Sequence, residues 1–210
     1  MNVLMVGAHF DDIELGCGGT AALHVRNGDT VSILVITNSG YTDHAQRTIR
    51  KPEVALEEGE KAADILGVTD LHCANFPTNQ VELNHELFDT INMAVEEKNI
   101  ETIYTHWVDD VHLDHQRVAR ASLSAGRHVK RVLMYRSNYY QSAENFRGNF
   151  YRDITATIEQ KKEAIRAHQS EFNRVGEKWL KFFVQQNEND GMKIGVPYAE
   201  CFEIVKYLEM

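Results

Sequence analysis

The sequence predicts an α/β fold: a mainly parallel sheet with helices on both faces. Three observations predict it. Short apolar stretches alternate with longer stretches of helical periodicity; glycine or asparagine closes several of the helical ones; and histidines crowd with carboxylates directly behind two predicted strands. In sheets of this kind ligands bind at the carboxyl ends of the strands. A length of 210 residues suits one domain spanning 1–210, with a core large enough to need no disulfide.

The elements follow in order. "NVLMVGA" reads as a buried strand, residues 15–29 as a helix entered through glycines and stopped at Asn27-Gly28, and "VSILVIT" as a second buried strand, which together make one β-α-β unit. Residues 51–68 place Val54, Ala55, Ala62, Ile65 and Leu66 at helical spacing and end at Gly67, ahead of the strand "DLHCANF". Alternation continues through the helix "HELFDTINMAVEEKN", the strand "IETIYTHW", a helix beginning near Asp114, and the strand "RVLMYRS". After Ser142 the pattern loosens to one clear helix, "TATIEQKKEAIRAHQSE", and a closing strand in "GVPYAECFEIVKY". No internal repeat or domain boundary interrupts it.

Composition narrows the function classes. With 43% hydrophobic and 25% charged residues, 3 prolines and 13 glycines, the chain is that of a folded globular protein without low-complexity segments. A formal charge of −9 disfavours nucleic acid or an anionic bilayer as the main partner, because either would be approached against the protein's own field. No run approaches a membrane span, and the first ten residues lack a basic n-region and a cleavage site, so the expected compartment is the cytoplasm. Cys17, Cys73 and Cys201 are odd in number and far apart, which fits reduced, buried thiols there. A homo-oligomer is compatible with all of this.

Chemistry concentrates in two places. "VGAHFDDIELGCGG" sets His9, Asp11, Asp12 and Glu14 at the end of the first strand, where uncompensated carboxylates repel one another and call for a positive partner. "DDVHLDHQRVA" repeats that composition behind another strand. His9 and Asp12 with one imidazole of the second cluster would supply two nitrogens and a carboxylate, the protein's usual share of a catalytic zinc site that keeps a position open. Either cluster alone also reads as a hydrogen-bonded loop histidine beside a helix N-terminal acid; two at matching strand ends favour the metal. The spacing Gly16-x-Gly18-x-x-Ala21 formally matches a dinucleotide fingerprint, but the acids before it would face the pyrophosphate, so these glycines are read as close helix–sheet packing.

The segment "AHFDDIELGCGG" resembles the A-H-P-D-D-E-x-x-G-x-G-G motif of the PIG-L/LmbE-like zinc-dependent N-deacetylases, and "DVHLDH" resembles their D-x-H-x-D-H motif. "LGV" at Leu66–Val68, "RDITATIEQKKEAIRAHQSE" and "YAECFEI" extend the resemblance over nearly the whole chain. It implies His9, Asp12 and His115 as metal ligands, Asp11 as catalytic base, a protonated His112 as oxyanion stabiliser, and Asp114 as the residue orienting His112. Phe10 stands where the pattern has proline, and Ile13 is inserted so that Glu14 falls one place late. The implied cofactor is Zn²⁺, with Fe²⁺ accepting the same ligands.

Further candidates are His168 and Glu200, Arg47 and Arg50 as contacts for a polar substrate, and Trp107, Tyr139, Tyr140 and Trp179 as an aromatic wall for a sugar ring. His24, His44, His72, His85 and His128 read as ordinary. The activity expected from residues and resemblance together is removal of the N-acetyl group from a small N-acetylated amino sugar or its conjugate, of N-acetylglucosaminyl type. The alternatives are an amidase of a related natural-product or glycan intermediate, a sugar- or nucleotide-binding module without turnover, and Fe(II)-dependent oxygenation on the same ligands.

Overall fold

The computed structural model of the protein describes residues 1–209. Its sheet has seven strands: β1 (Asn2–Gly7), β2 (Thr30–Thr37), β5 (Asp70–Phe76), β6 (Thr102–His106), β7 (Arg131–Tyr135), β8 (Phe150–Asp153) and β9 (Ala199–Tyr207). They lie in the order β5-β2-β1-β6-β7-β9-β8, the first five parallel, with β9 antiparallel to both β7 and β8. The chain builds outward from β1 in one direction through β2 and β5, then returns to the other side of β1 with β6. A crevice opens at such a reversal. A two-stranded hairpin, β3 (Tyr41–Thr42) with β4 (Thr48–Arg50), stands apart from this sheet.

Helices cover both faces, as expected. The alternating side chains of β1 and β2 divide cleanly: Val3, Met5, Val31, Ile33 and Val35 pack toward α1 (Asp12–Arg26), α2 (Pro52–Leu66) and α5 (Ile158–Ala167). Leu4, Val6, Leu34 and Ile36 pack toward α3 (His85–Glu97) and α4 (Leu113–Ala125). Strands buried on both faces read as continuous apolar runs, which is why they are visible in the sequence. At Gly16 an added Cβ would fall 2.1 Å from the Tyr135 ring, so this glycine does serve close helix–sheet packing.

Four differences from the sequence reading have local causes. Helix α1 begins at Asp12, so Asp12 and Glu14 occupy its first turn, where carboxylates complement the exposed N–H groups. It breaks at Cys17 (φ −147°, ψ 21°) and restarts against Glu200 of β9, which accepts the N–H groups of Gly19 (2.9 Å) and Thr20 (2.7 Å) and pairs with buried Lys161 at 2.6 Å. Glu200 is thus a structural cap rather than a site residue. The single helix expected over 155–171 turns at His168 (ψ 65°) into α5 and α6 (Gln169–Val175). Helix α7 (Lys178–Ile194) was not expected, since its polar run "QQNEND" hides the spacing of Trp179, Leu180 and Phe183, which form a small cluster with Leu15 and Ile165. Among the described residues no helix is long and apolar enough to cross a membrane.

Candidate active site

Both clusters reach the crevice between β1 and β6, because one follows each strand and the two strands are neighbours. His9, Asp11 and Asp12 descend from β1 into α1. Asp110, His112, Asp114 and His115 descend from β6 into α4, whose N-cap is His112. Asp11 adopts φ +126°, a conformation rare outside glycine and frequent at functional sites.

Three side chains converge. His9 Nδ1 lies 3.2 Å from His115 Nε2; Asp12 places Oδ2 3.4 Å from the first and Oδ1 3.3 Å from the second. The outer ring nitrogens have carboxylates behind them: His9 Nε2 is 3.2 Å from Asp114 Oδ2, and His115 Nδ1 is 3.3 Å from Asp110 Oδ2. Those carboxylates are themselves anchored. Asp114 accepts the N–H groups of Asn79 (2.7 Å) and Val81 (3.3 Å), and Asp110 accepts from His112 N–H (2.8 Å) and Asn138 Nδ2 (2.5 Å). Asp12 accepts from His9 N–H (2.7 Å) and Ser137 Oγ (2.8 Å).

This arrangement fits a divalent cation. The outer carboxylates fix both rings with their inner nitrogens turned toward one another and toward Asp12, a crowding that positive charge offsets, whether as a proton on His9 or as a shared divalent cation. Two imidazole nitrogens and a carboxylate oxygen are also a donor set that zinc and ferrous iron accept. His106, a third imidazole at the end of β6 that belongs to neither motif, is fully buried and stacks on His115 with ring centres 4.0 Å apart. It is 3.2 Å from Asp12 Oδ2, yet its Nε2 accepts the Ala8 N–H at 2.9 Å and that lone pair is already used.

Electrostatics separate the two aspartates. Burial raises both, but His115 and His106 outweigh it at Asp12 and hold that carboxyl well below the usual range. At Asp11, burial and the Asp12 charge dominate over Arg50, and its pKa rises well above the ordinary value. Burial pulls His9 down, while its hydrogen bonds to Asp114 and Asp12 prevail and lift it to about 10. Burial and the adjacent His115 push His106 down to about 4.

Two expectations need correction. Asp114 was expected to orient His112 and keep it charged; its carboxylate instead backs His9, because α4 turns the side chains of residues 112 and 114 apart. Only the Asp114 backbone N–H meets the His112 ring, donating to Nδ1 at 3.2 Å. That bond needs an unprotonated Nδ1. Burial, then His115 and His9, press the His112 pKa down to about 4, opposite to the direction a cationic ring requires.

A cavity of about 260 Å³ opens over this cluster, lined by Asp11, Asp12, His9, His112 and His115 on its floor. Tyr139, Tyr140 and Trp179 contribute to its wall, as expected for an aromatic face, whereas Trp107 is buried against Phe146 away from it. Arg50 lines the cavity and is buried, donating to Phe10 O (3.0 Å) and Glu58 Oε2 (2.9 Å) with Nη1 3.8 Å from Asp11 Oδ2. Arg47 is outside it, exposed and tied to Asp43 at 2.7 Å. His168 and Glu14 stand behind: His168 Nδ1 is 3.2 Å from Arg50 Nη2 and its Nε2 is 3.4 Å from Glu14 Oε2. Tyr41, Glu171 and Arg174 were missed. Tyr41 Oη donates to Glu171 at 2.8 Å and Arg174 Nε does so at 2.8 Å, giving the cavity a polar corner assembled from β3 and α6. Tyr41 and Glu171 are 130 positions apart, so no local pattern could have joined them.

A family model described as PIG-L, GlcNAc-PI de-N-acetylase, matches residues 4–126 of the chain. The uncharacterized deacetylase YaiS of Escherichia coli (strain K12) is 33% identical over 141 residues, 63% of this chain and 72% of that protein. The diacetylchitobiose deacetylase of Thermococcus kodakarensis is 26% identical over 220 residues, covering 97% of this chain and 82% of the relative. Among solved structures, a conserved protein of Thermus thermophilus superimposes with a TM-score of 0.84 at 26% identity, covering 99% of this chain and 96% of the other.

Proposed function

The chain belongs to the PIG-L family, and on that premise we propose that it is a metal-dependent hydrolase removing the N-acetyl group from a small N-acetylated amino sugar or its conjugate, of N-acetylglucosaminyl type. The observation that carries the reading is the convergence of His9 Nδ1, His115 Nε2 and the Asp12 carboxylate at separations of 3.2–3.4 Å, beside an aspartate that belongs to none of their contacts. His9, Asp12 and His115 hold the cation, taken to be Zn²⁺ with Fe²⁺ as the alternative. Bound there, it supplies Lewis acidity toward an amide carbonyl and toward water.

The chain's own groups do the rest. Asp11 takes the proton of the attacking water and delivers it to the departing amine nitrogen; its raised pKa suits both the uptake and the release. His112 donates Nε2–H to the oxygen that becomes negative, and as a neutral donor it does so without a charge of its own to desolvate. Tyr139, Tyr140 and Trp179 give the sugar ring apolar faces, while Tyr41, Glu171, Arg174 and Arg50 offer donors and acceptors to its hydroxyl groups.

Metal-reconstituted protein should release acetate from N-acetylglucosaminides in a panel of N-acetylated sugars, and metal-stripped protein should not. Metal-loaded protein that binds these sugars without releasing acetate would establish the binding-module alternative. Because Asp114 backs His9, Asp114→Ala should weaken metal affinity about 10- to 100-fold, as removal of such a partner usually does. Competition with a chelator measures it, and an unchanged affinity would show that His9 needs no help from Asp114.

A further inference from the structure

Proline at the third position of the first motif would fix one backbone angle and bring no N–H into the site. Phenylalanine there fixes nothing and adds a buried donor. The structure nevertheless restrains Phe10 from three directions. Its N–H donates to Ser39 Oγ at 2.8 Å, and its carbonyl accepts from Arg50 Nη1 at 3.0 Å. Its ring, 2% exposed, rests on Gly59 of α2, where an added Cβ would fall 2.2 Å from Cδ1 and 2.7 Å from Cε1. Nothing larger than glycine leaves the ring where it is.

The neighbour of this clamped residue is Asp11, held at φ +126°. A non-glycine residue persists in such a conformation only when its surroundings over-determine it. Arg50 also approaches the Asp11 carboxylate, at 3.8 Å, so one guanidinium faces the carbonyl before the strained residue and its side chain together. Arg50 is in turn fixed by Glu58 at 2.9 Å, one residue before Gly59 on the same helix. Helix α2 therefore supplies both the notch for the ring and the anchor for the arginine.

We propose that Phe10 is the positioning residue for Asp11, acting through the Gly59 notch, the Ser39 hydroxyl and the Arg50 guanidinium in place of the backbone restraint that proline would provide. This rests on the reading of Asp11 as the base. A displacement of the order of an ångström in a reacting group is enough to cost about a hundredfold in rate. The metal ligands keep their places when Phe10 shifts, because Asp114 and Asp110 back His9 and His115, and Ser137 Oγ holds Asp12.

The test compares wild type, Gly59→Ala, Phe10→Ala and Phe10→Pro as metal-loaded protein, reading kcat and KM on an N-acetylglucosaminide, metal content, and hydrogen exchange over residues 7–15. Gly59→Ala and Phe10→Ala should each lower kcat about 10- to 100-fold with KM nearly unchanged, full metal, and faster exchange over that segment. Phe10→Pro should recover most of the lost kcat. Wild-type kcat in Phe10→Ala, or a Phe10→Pro no better than Phe10→Ala, would overturn the proposal. Should the wild type release no acetate from any sugar, it is the substrate reading that falls; exchange in Gly59→Ala then decides, and an unchanged rate over residues 7–15 overturns the positioning role.

Discussion

His115→Ala empties the metal site: elemental analysis should find most of the cation gone, and turnover should fall by about three orders of magnitude or more, since polarisation of the carbonyl and of water is worth several kcal/mol. The inner nitrogen of His115 lies 3.2 Å from His9 Nδ1 and 3.3 Å from Asp12 Oδ1, and alanine replaces it with nothing. His106 cannot take over, because its Nε2 is occupied by the Ala8 N–H. Circular dichroism and thermal unfolding distinguish an empty site from an unfolded chain. Full metal in a folded His115→Ala would exclude this ligand set.

Asp11→Asn keeps the metal and loses about two to four orders of magnitude in turnover, the span for removal of a general base. Asparagine preserves shape, so Phe10, Arg50 and the turn stay as they are, while the site loses its proton acceptor. Burial and the Asp12 charge raise the Asp11 pKa, so the active, deprotonated fraction grows as pH rises through that pKa and is lost as pH falls below it. The acidic limb of the wild-type pH–rate profile therefore belongs to Asp11 and should vanish in the residual activity of Asp11→Asn. If the substitution empties the site instead, at unchanged stability, Asp11 is a ligand and the division of labour between the two aspartates is reversed.

That division could not be read from two adjacent letters. Asp11 and Asp12 share a sequence neighbourhood, yet one stands strained beside Arg50 and the other points toward three imidazoles. The resemblance assigned their roles, and the environment supplies the physical reason. For Asp114 and His112 the reverse happened. A spacing of two residues made them plausible partners, but at the first turn of α4 their side chains diverge, and His9, 105 residues away, is the imidazole that meets the carboxylate.

By itself the sequence determined the layers, the position of the two clusters at strand ends, and His9 and Asp12 as partners of an imidazole from the second cluster, which the resemblance, not the spacing, narrowed to His115. Burial on both faces leaves unbroken apolar strands, and reactive side chains crowd where those strands stop, so each signal is local. Tertiary structure alone decided that β1 and β6 are neighbours, that β9 runs against the sheet, and that Glu200 caps a broken helix rather than serving the site. It also decided which carboxylate backs which imidazole, brought Tyr41, Glu171 and Arg174 to the cavity, and seated Phe10 on Gly59. These depend on contacts of about 3 Å between residues far apart in the chain, and hydrogen bonds and tight packing at that range follow from the closed fold, not from the order of letters along it.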